Sequence, residues 1–128
     1  LEITVETLSA FRLAPLVAVA WADDRVEEAE RYAIIRAAEK SGLKADDVSM
    51  KLLDTWTRRR PGSELLDAWC DYAKALCASL GEQHRAALKK EVLAQVEAVA
   101  QASGGLLGFG SVSHGEKAVM KRIEQALS

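Results

Sequence analysis

A phrase written twice, once near each end, constrains the fold of this chain more than any other feature. Val19-Ala20-Trp21-Ala22-Asp23-Asp24-Arg25-Val26-Glu27-Glu28-Ala29-Glu30 is answered by Val99-Ala100-Gln101-Ala102-Ser103, a glycine-rich stretch, and Val112-Ser113-His114-Gly115-Glu116. Each copy reads Val-Ala-x-Ala, a polar or glycine loop, Val-x-x-x-Glu and an apolar run ending in Arg36 or Arg122, with six more residues in the second loop. Two helix-loop-helix units of this kind are expected to pack about a pseudo-two-fold axis, loops side by side. The acids then gather on the first loop.

Outside the loops, apolar residues recur at three and four, and strand alternation is nearly absent. The expected fold is all-α: a compact bundle of six to seven helices forming one domain over 1–128, either a whole protein or a segment of a longer one, since it begins at Leu1. With 49% apolar residues the chain has material for a core. Seventeen basic residues against nineteen acidic ones leave a net charge of -2, so no overall field draws it to nucleic acid or to an anionic membrane. No apolar run approaches the roughly 20 residues of a membrane span, and no signal core follows the N-terminus. A cytoplasmic location is expected.

Helix limits follow from local chemistry. Pro15 either kinks the segment Thr4 to Ala22 or starts a second helix inside it. A helix from about Glu27 to Ser41 stops at Gly42, and the next runs from Asp46 to Arg59 before Pro61-Gly62. Ser63 is placed to cap a central core helix carrying Leu66, Trp69, Ala73, Leu76 and Leu80. A long amphipathic helix after Gly81 buries Leu88, Val92, Val96 and Val99. The last, from Ser113, buries Val119 or Met120, Ile123 and Leu127. Cys70 and Cys77, seven apart on one helix, lie about 10 Å apart along its axis, too far for a disulfide, and are expected to be buried free thiols. Trp21, Trp56 and Trp69 are expected in the core.

The first loop holds the chemistry. Asp23, Asp24, Val26 and Glu30 have the spacing of positions five, six, eight and twelve of an EF-hand loop, but Val19 and Trp21 stand where its first and third oxygen ligands belong. What remains is a carboxylate cluster, Asp23, Asp24, Glu27, Glu28 and Glu30, able to offer a hard divalent ion a few oxygens plus water. The same acids at a helix start are also stabilised by the helix dipole alone. Ser113-x-x-Glu116 is a capping box, which makes Glu116 a cap and suggests the same for Glu30. Both readings of the acids stay open here.

Gly104 to Gly110 lacks the Gly-Lys-Ser/Thr ending of a phosphate loop and follows a helix; it reads as a connector whose Leu106, Leu107 and Phe109 cover the core or meet a partner. Val26 and Val112 precede each second helix as apolar staples, with a short backbone pairing between the loops expected. His84 and His114 have no ligand spacing. Arg58 to Arg60 are too few to indicate nucleic acid.

Ala-Trp-Ala-Asp with Val-x-x-x-Glu, the Trp69 and Tyr72 helix, and Ala-Ser-Gly-Gly-x-x-Gly-x-Gly-x-Val-Ser-x-x-Glu resemble the TerB family of tellurite-resistance proteins, from about Pro15 to Leu127. The resemblance implies an all-helical fold with pseudo-two-fold halves and a non-enzymatic role in bacterial chemical-stress resistance. It also implies partners in a stress-response complex, some of them membrane-associated, without membrane insertion by this chain. Asp23, Glu30 and Glu116 match the family's acidic positions; Asp24 stands where Gly is usual, adding a charge and stiffening the turn. The expected function is a stress-response binding module that requires no cofactor and takes Ca²⁺ or Mg²⁺ weakly through Asp23, Asp24, Glu27 and Glu30. The alternative is a structural interaction domain of a larger protein with no metal site, and a third is a metal-recruiting hydrolase.

Overall fold

The computed structural model describes residues 4–102 and 113–128. Among them are seven α-helices: α1 (Leu8–Arg12), α2 (Ala14–Ala20), α3 (Glu28–Lys40), α4 (Val48–Arg58), α5 (Glu64–Ser79), α6 (Glu82–Ala102) and α7 (His114–Ala126), with a 3₁₀ turn at Trp21–Asp23 after α2. All-α architecture is therefore as the periodicity required. None of the described helices is long and apolar enough to cross a membrane.

The hub of the bundle is α2, which packs against α3, α4, α5, α6 and α7. Its sequence Ala-Pro-Leu-Val-Ala-Val-Ala has no polar side chain, so every face must be covered. Leu16, Val17 and Val19 are wholly buried. Pro15 is the second residue of α2, where its missing N–H costs nothing, so Pro15 opens a new helix. The expectation that the helix after Ser63 is the central one is corrected: α5 is amphipathic, with Asp67, Asp71 and Lys74 in water. Its buried stripe is Leu65, Trp69, Cys70, Ala73 and Cys77, about one residue round from the stripe expected. Leu66, Leu76 and Leu80 are half-buried.

Local chemistry ends the helices. At the end of α3, Gly42 takes φ +96°, Leu43 N–H reaches Ala38 O at 3.0 Å and Gly42 N–H reaches Glu39 O at 3.0 Å, a Schellman motif. Helix α4 starts two residues later than expected because Asp47, not Asp46, is its N-cap, with the Asp47 carboxylate accepting from Lys44 N–H at 2.8 Å. Ser63 begins α5, but its hydroxyl makes no capping bond, contrary to expectation. Ser49 joins α4 to the N-terminus: its buried hydroxyl accepts from Ala10 N–H at 3.2 Å and donates to Glu6 O at 2.7 Å, satisfying one free donor of α1.

Trp56 and Trp69 are core residues, whereas Trp21 is half-buried and donates its indole N–H to Trp56 O at 2.7 Å. Cys70 and Cys77 are free and buried, as the helical spacing required. Burial pushes the Cys70 thiol pKa up, which keeps it protonated and unreactive.

Candidate functional site: two buried carboxyls at paired helix starts

The starts of α3 and α7 carry the same device. In α7, Ser113 is the N-cap; its hydroxyl accepts from Glu116 N–H at 3.1 Å, and Glu116 Oε1 accepts from Ser113 N–H at 2.9 Å. In α3, Glu27 is the N-cap and Glu30 Oε1 accepts from its N–H at 2.9 Å. Both glutamates occupy the third helical position, where a carboxylate meets free N–H groups and the positive end of the dipole. Capping is therefore the first role of each.

The two starts also meet across the bundle, since α7 packs on the 3₁₀ turn that precedes α3. Ser113 Oγ donates to Asp23 Oδ1 at 2.8 Å, joining residues 90 apart in sequence. Gly115 lies so close to the turn that a Cβ there would stand 2.9 Å from Ala22 O. This contact, made possible by a missing side chain, seats the start of α7 on the 3₁₀ turn.

At the junction the glutamates are almost sealed: Glu30 is 3% exposed and Glu116 is 1% exposed. Burial, the largest cause, pushes the Glu30 pKa up to about 7. The Glu27 N–H bond opposes this, and the negative charges of Glu116, Glu27 and Asp23 add to it. Glu116 Oε2 is buried and has no hydrogen-bond partner among the described residues. A buried acceptor left without a partner costs about 1–3 kcal/mol, and more when charged. Two buried acids whose charges act on each other invite a proton or a cation.

The remaining acids of the first loop are spread apart. Asp24 is exposed, takes φ +67° and forms an ion pair with Arg60. Glu27 pairs with Arg25 at 3.1 Å, and Glu28 with Arg31. Asp23 is engaged by Ser113, as described. Of Asp23, Asp24, Glu27 and Glu30, only Glu30 is buried. Among the described residues no group of three or more His, Cys, Asp or Glu side chains is arranged to hold a metal ion.

Comparison with protein-family models, curated proteins and solved structures finds no match for the chain. What the site can do rests on its own geometry.

Sequence reasoning assigned Glu116 a capping role and left it out of the ion site. The structure sets its charge beside Glu30. The signal for this was the repeat itself, which places Glu30 and Glu116 at the same position of its two copies. Leu106, Leu107, Phe109 and Val112 lie outside the described residues, as does the expected pairing between the loops. Val26 is partly buried and packs against the core.

Proposed function

We propose that this chain is a non-enzymatic, TerB-like binding module of a bacterial stress response, and that its ligand is a divalent cation, Ca²⁺ or Mg²⁺, taken between Glu30 and Glu116. One observation carries the cation: the buried, unpartnered Oε2 of Glu116 beside a second buried carboxyl. Each glutamate spends Oε1 on a backbone N–H, which fixes both carboxyls and leaves one oxygen on each. Mg²⁺ is commonly held by one or two carboxylates with water completing its shell, so two protein carboxyls suffice where a cage of three or more is not formed. Asp23 adds a negative charge at the edge, fixed by Ser113.

Protons compete for the same oxygens. With Glu30 titrating near 7, the pair holds a proton in mildly acidic solution, and a cation must displace it. Binding is therefore weak below neutrality and stronger above it. The closed surroundings of the pair favour an ion over an organic substrate, which supports binding rather than hydrolysis. Matching capping boxes at the starts of α3 and α7 support the pseudo-two-fold relation of the halves. Cytoplasmic partners in a stress complex belong to this reading through the family resemblance.

Titration calorimetry with Ca²⁺, Mg²⁺, Mn²⁺ and Zn²⁺ at about pH 6 and about pH 8 tests it. Expected are saturable heats that grow with pH and vanish in both Glu30→Gln and Glu116→Gln. Absence of heat at millimolar metal at the higher pH overturns the cation reading and leaves the interaction-domain alternative.

A further inference from the structure

Beside Trp21 is a cavity of about 390 Å³, lined by neither Glu30 nor Glu116, that the repeat does not explain. It opens between the 3₁₀ turn, the segment Arg60-Pro61-Gly62 that follows α4, the start of α5 and the middle of α7. Its volume lies within the roughly 300–1,000 Å³ of small-molecule sites. Trp21, Leu66 and Val119, all half-buried, give it an apolar lining. Arg60, Arg122 and Ser63 supply the polar groups, and no carboxylate lines it.

We propose that this cavity binds a small organic anion: a carboxylate or phosphate monoester carried on an aromatic or branched apolar body. Two guanidiniums on one cavity are the main determinant, because each presents a fork of donors matched to a planar or tetrahedral anion. Both are engaged on their outer sides, Arg60 by Asp24 and Arg122 by Asp67. These pairs are about half or more exposed, and exposed pairs contribute little, so they orient the arginines without consuming them. An arginine has five N–H donors and can keep its aspartate while meeting a ligand.

Arg60 also lies over the Trp21 ring, 6.0 Å from its centroid, which sets an aromatic face beside the cation. The Ser63 hydroxyl makes no capping bond and stands free at the start of the sixteen-residue α5. The groups offered to an anion thus come from three separate segments, the stretch after α4, the start of α5 and α7. One charge opposes them: the Glu64 carboxylate folds back over Gly62, where a Cβ would strike it. A bare anion has little to gain from Trp21, Leu66 and Val119, so an apolar body is required for affinity.

The test is an NMR titration of the ¹⁵N-labelled chain with phenyl phosphate, phenylacetate, benzyl alcohol and inorganic phosphate. Saturable shifts of the Trp21 indole N–H and the Ser63 to Leu66 amides are expected with either aromatic anion, and much weaker ones with benzyl alcohol or inorganic phosphate. Arg60→Gln and Arg122→Gln should each weaken binding about tenfold, and Glu64→Gln should tighten it. Equal binding of benzyl alcohol, unchanged affinity in either arginine variant, or absence of saturable shifts with both anions overturns the proposal. The benzyl alcohol comparison uses the unaltered chain and so does not depend on any variant folding. Because the readout needs no divalent metal, failure here is distinct from failure of the cation site.

Discussion

Replacing Glu30 by Gln should stabilise the protein at neutral pH, although it removes a capping carboxylate. The Glu30 pKa rises from 4.5 in the unfolded reference to about 7 in the folded protein. Between those values the folded state holds a proton that the unfolded state has released, so the unfolded state binds fewer protons and stability falls as pH rises. The contribution is fully present below about 4.5 and is lost by about 7. At about 1.4 kcal/mol per pH unit the loss amounts to about 3 kcal/mol, a large part of the 5–15 kcal/mol typical of a domain.

Glutamine keeps the acceptor that Glu27 N–H requires and carries no charge to desolvate. Its amide also places donors near Glu116, whose Oε2 lacks one. In chelator-treated protein, urea unfolding at about pH 5, 6, 7 and 8 should show the two proteins nearly equal at the lowest value. Glu30→Gln should then gain progressively, to a difference of about 3 kcal/mol at the highest. Titrating groups remote from Glu30 affect both proteins alike, so the difference reports Glu30 together with the charges coupled to it, Glu116, Glu27 and Asp23. A difference that is flat with pH, or a variant less stable throughout, would refute the desolvation argument and make capping charge the dominant effect.

Gly115→Ala should lose about 1–2 kcal/mol in thermal or urea unfolding, because overpacking against the Ala22 carbonyl outweighs the gain in helix propensity; a neutral result would mean that α7 is not closely seated on the 3₁₀ turn. Asp24→Gly should be neutral or stabilising by up to about 1 kcal/mol, since relief of the left-handed backbone exceeds the worth of an exposed ion pair with Arg60, and a clear loss would show the pair to matter more than its exposure suggests. Cys70 and Cys77 should react with a thiol reagent only on the timescale of unfolding, whereas fast labelling of the native protein would contradict their burial.

The legible parts of this fold were those set by neighbours in sequence. The Ser113-Glu116 cap needs only a three-residue spacing, and the stop at Gly42 needs only a residue tolerant of positive φ. Where the stripe on α5 lies was harder to read, because Leu65 and Leu66 are adjacent and differ by about 100° around the helix. Cys70 and Cys77, small and apolar, decide it in favour of Leu65. The hub role of α2 was hidden by its length: seven residues apolar on every side show no moment, and absence of polarity is itself the sign of burial. The site divides along the same line. Each capping glutamate is a local fact, but a carboxyl becomes functional only when another charge is brought beside it in a dry place. Asp24 illustrates the converse, since which of Arg58, Arg59 and Arg60 reaches it depends on the angle between the end of α4 and the 3₁₀ turn. The hydrogen bond from Ser113 to Asp23 joins residues 90 apart, and spacing within either copy of the repeat gives no sign of it. It follows that the titration of Glu30 depends on Glu116, 86 positions away in sequence, whose negative charge adds to the burial that raises its pKa.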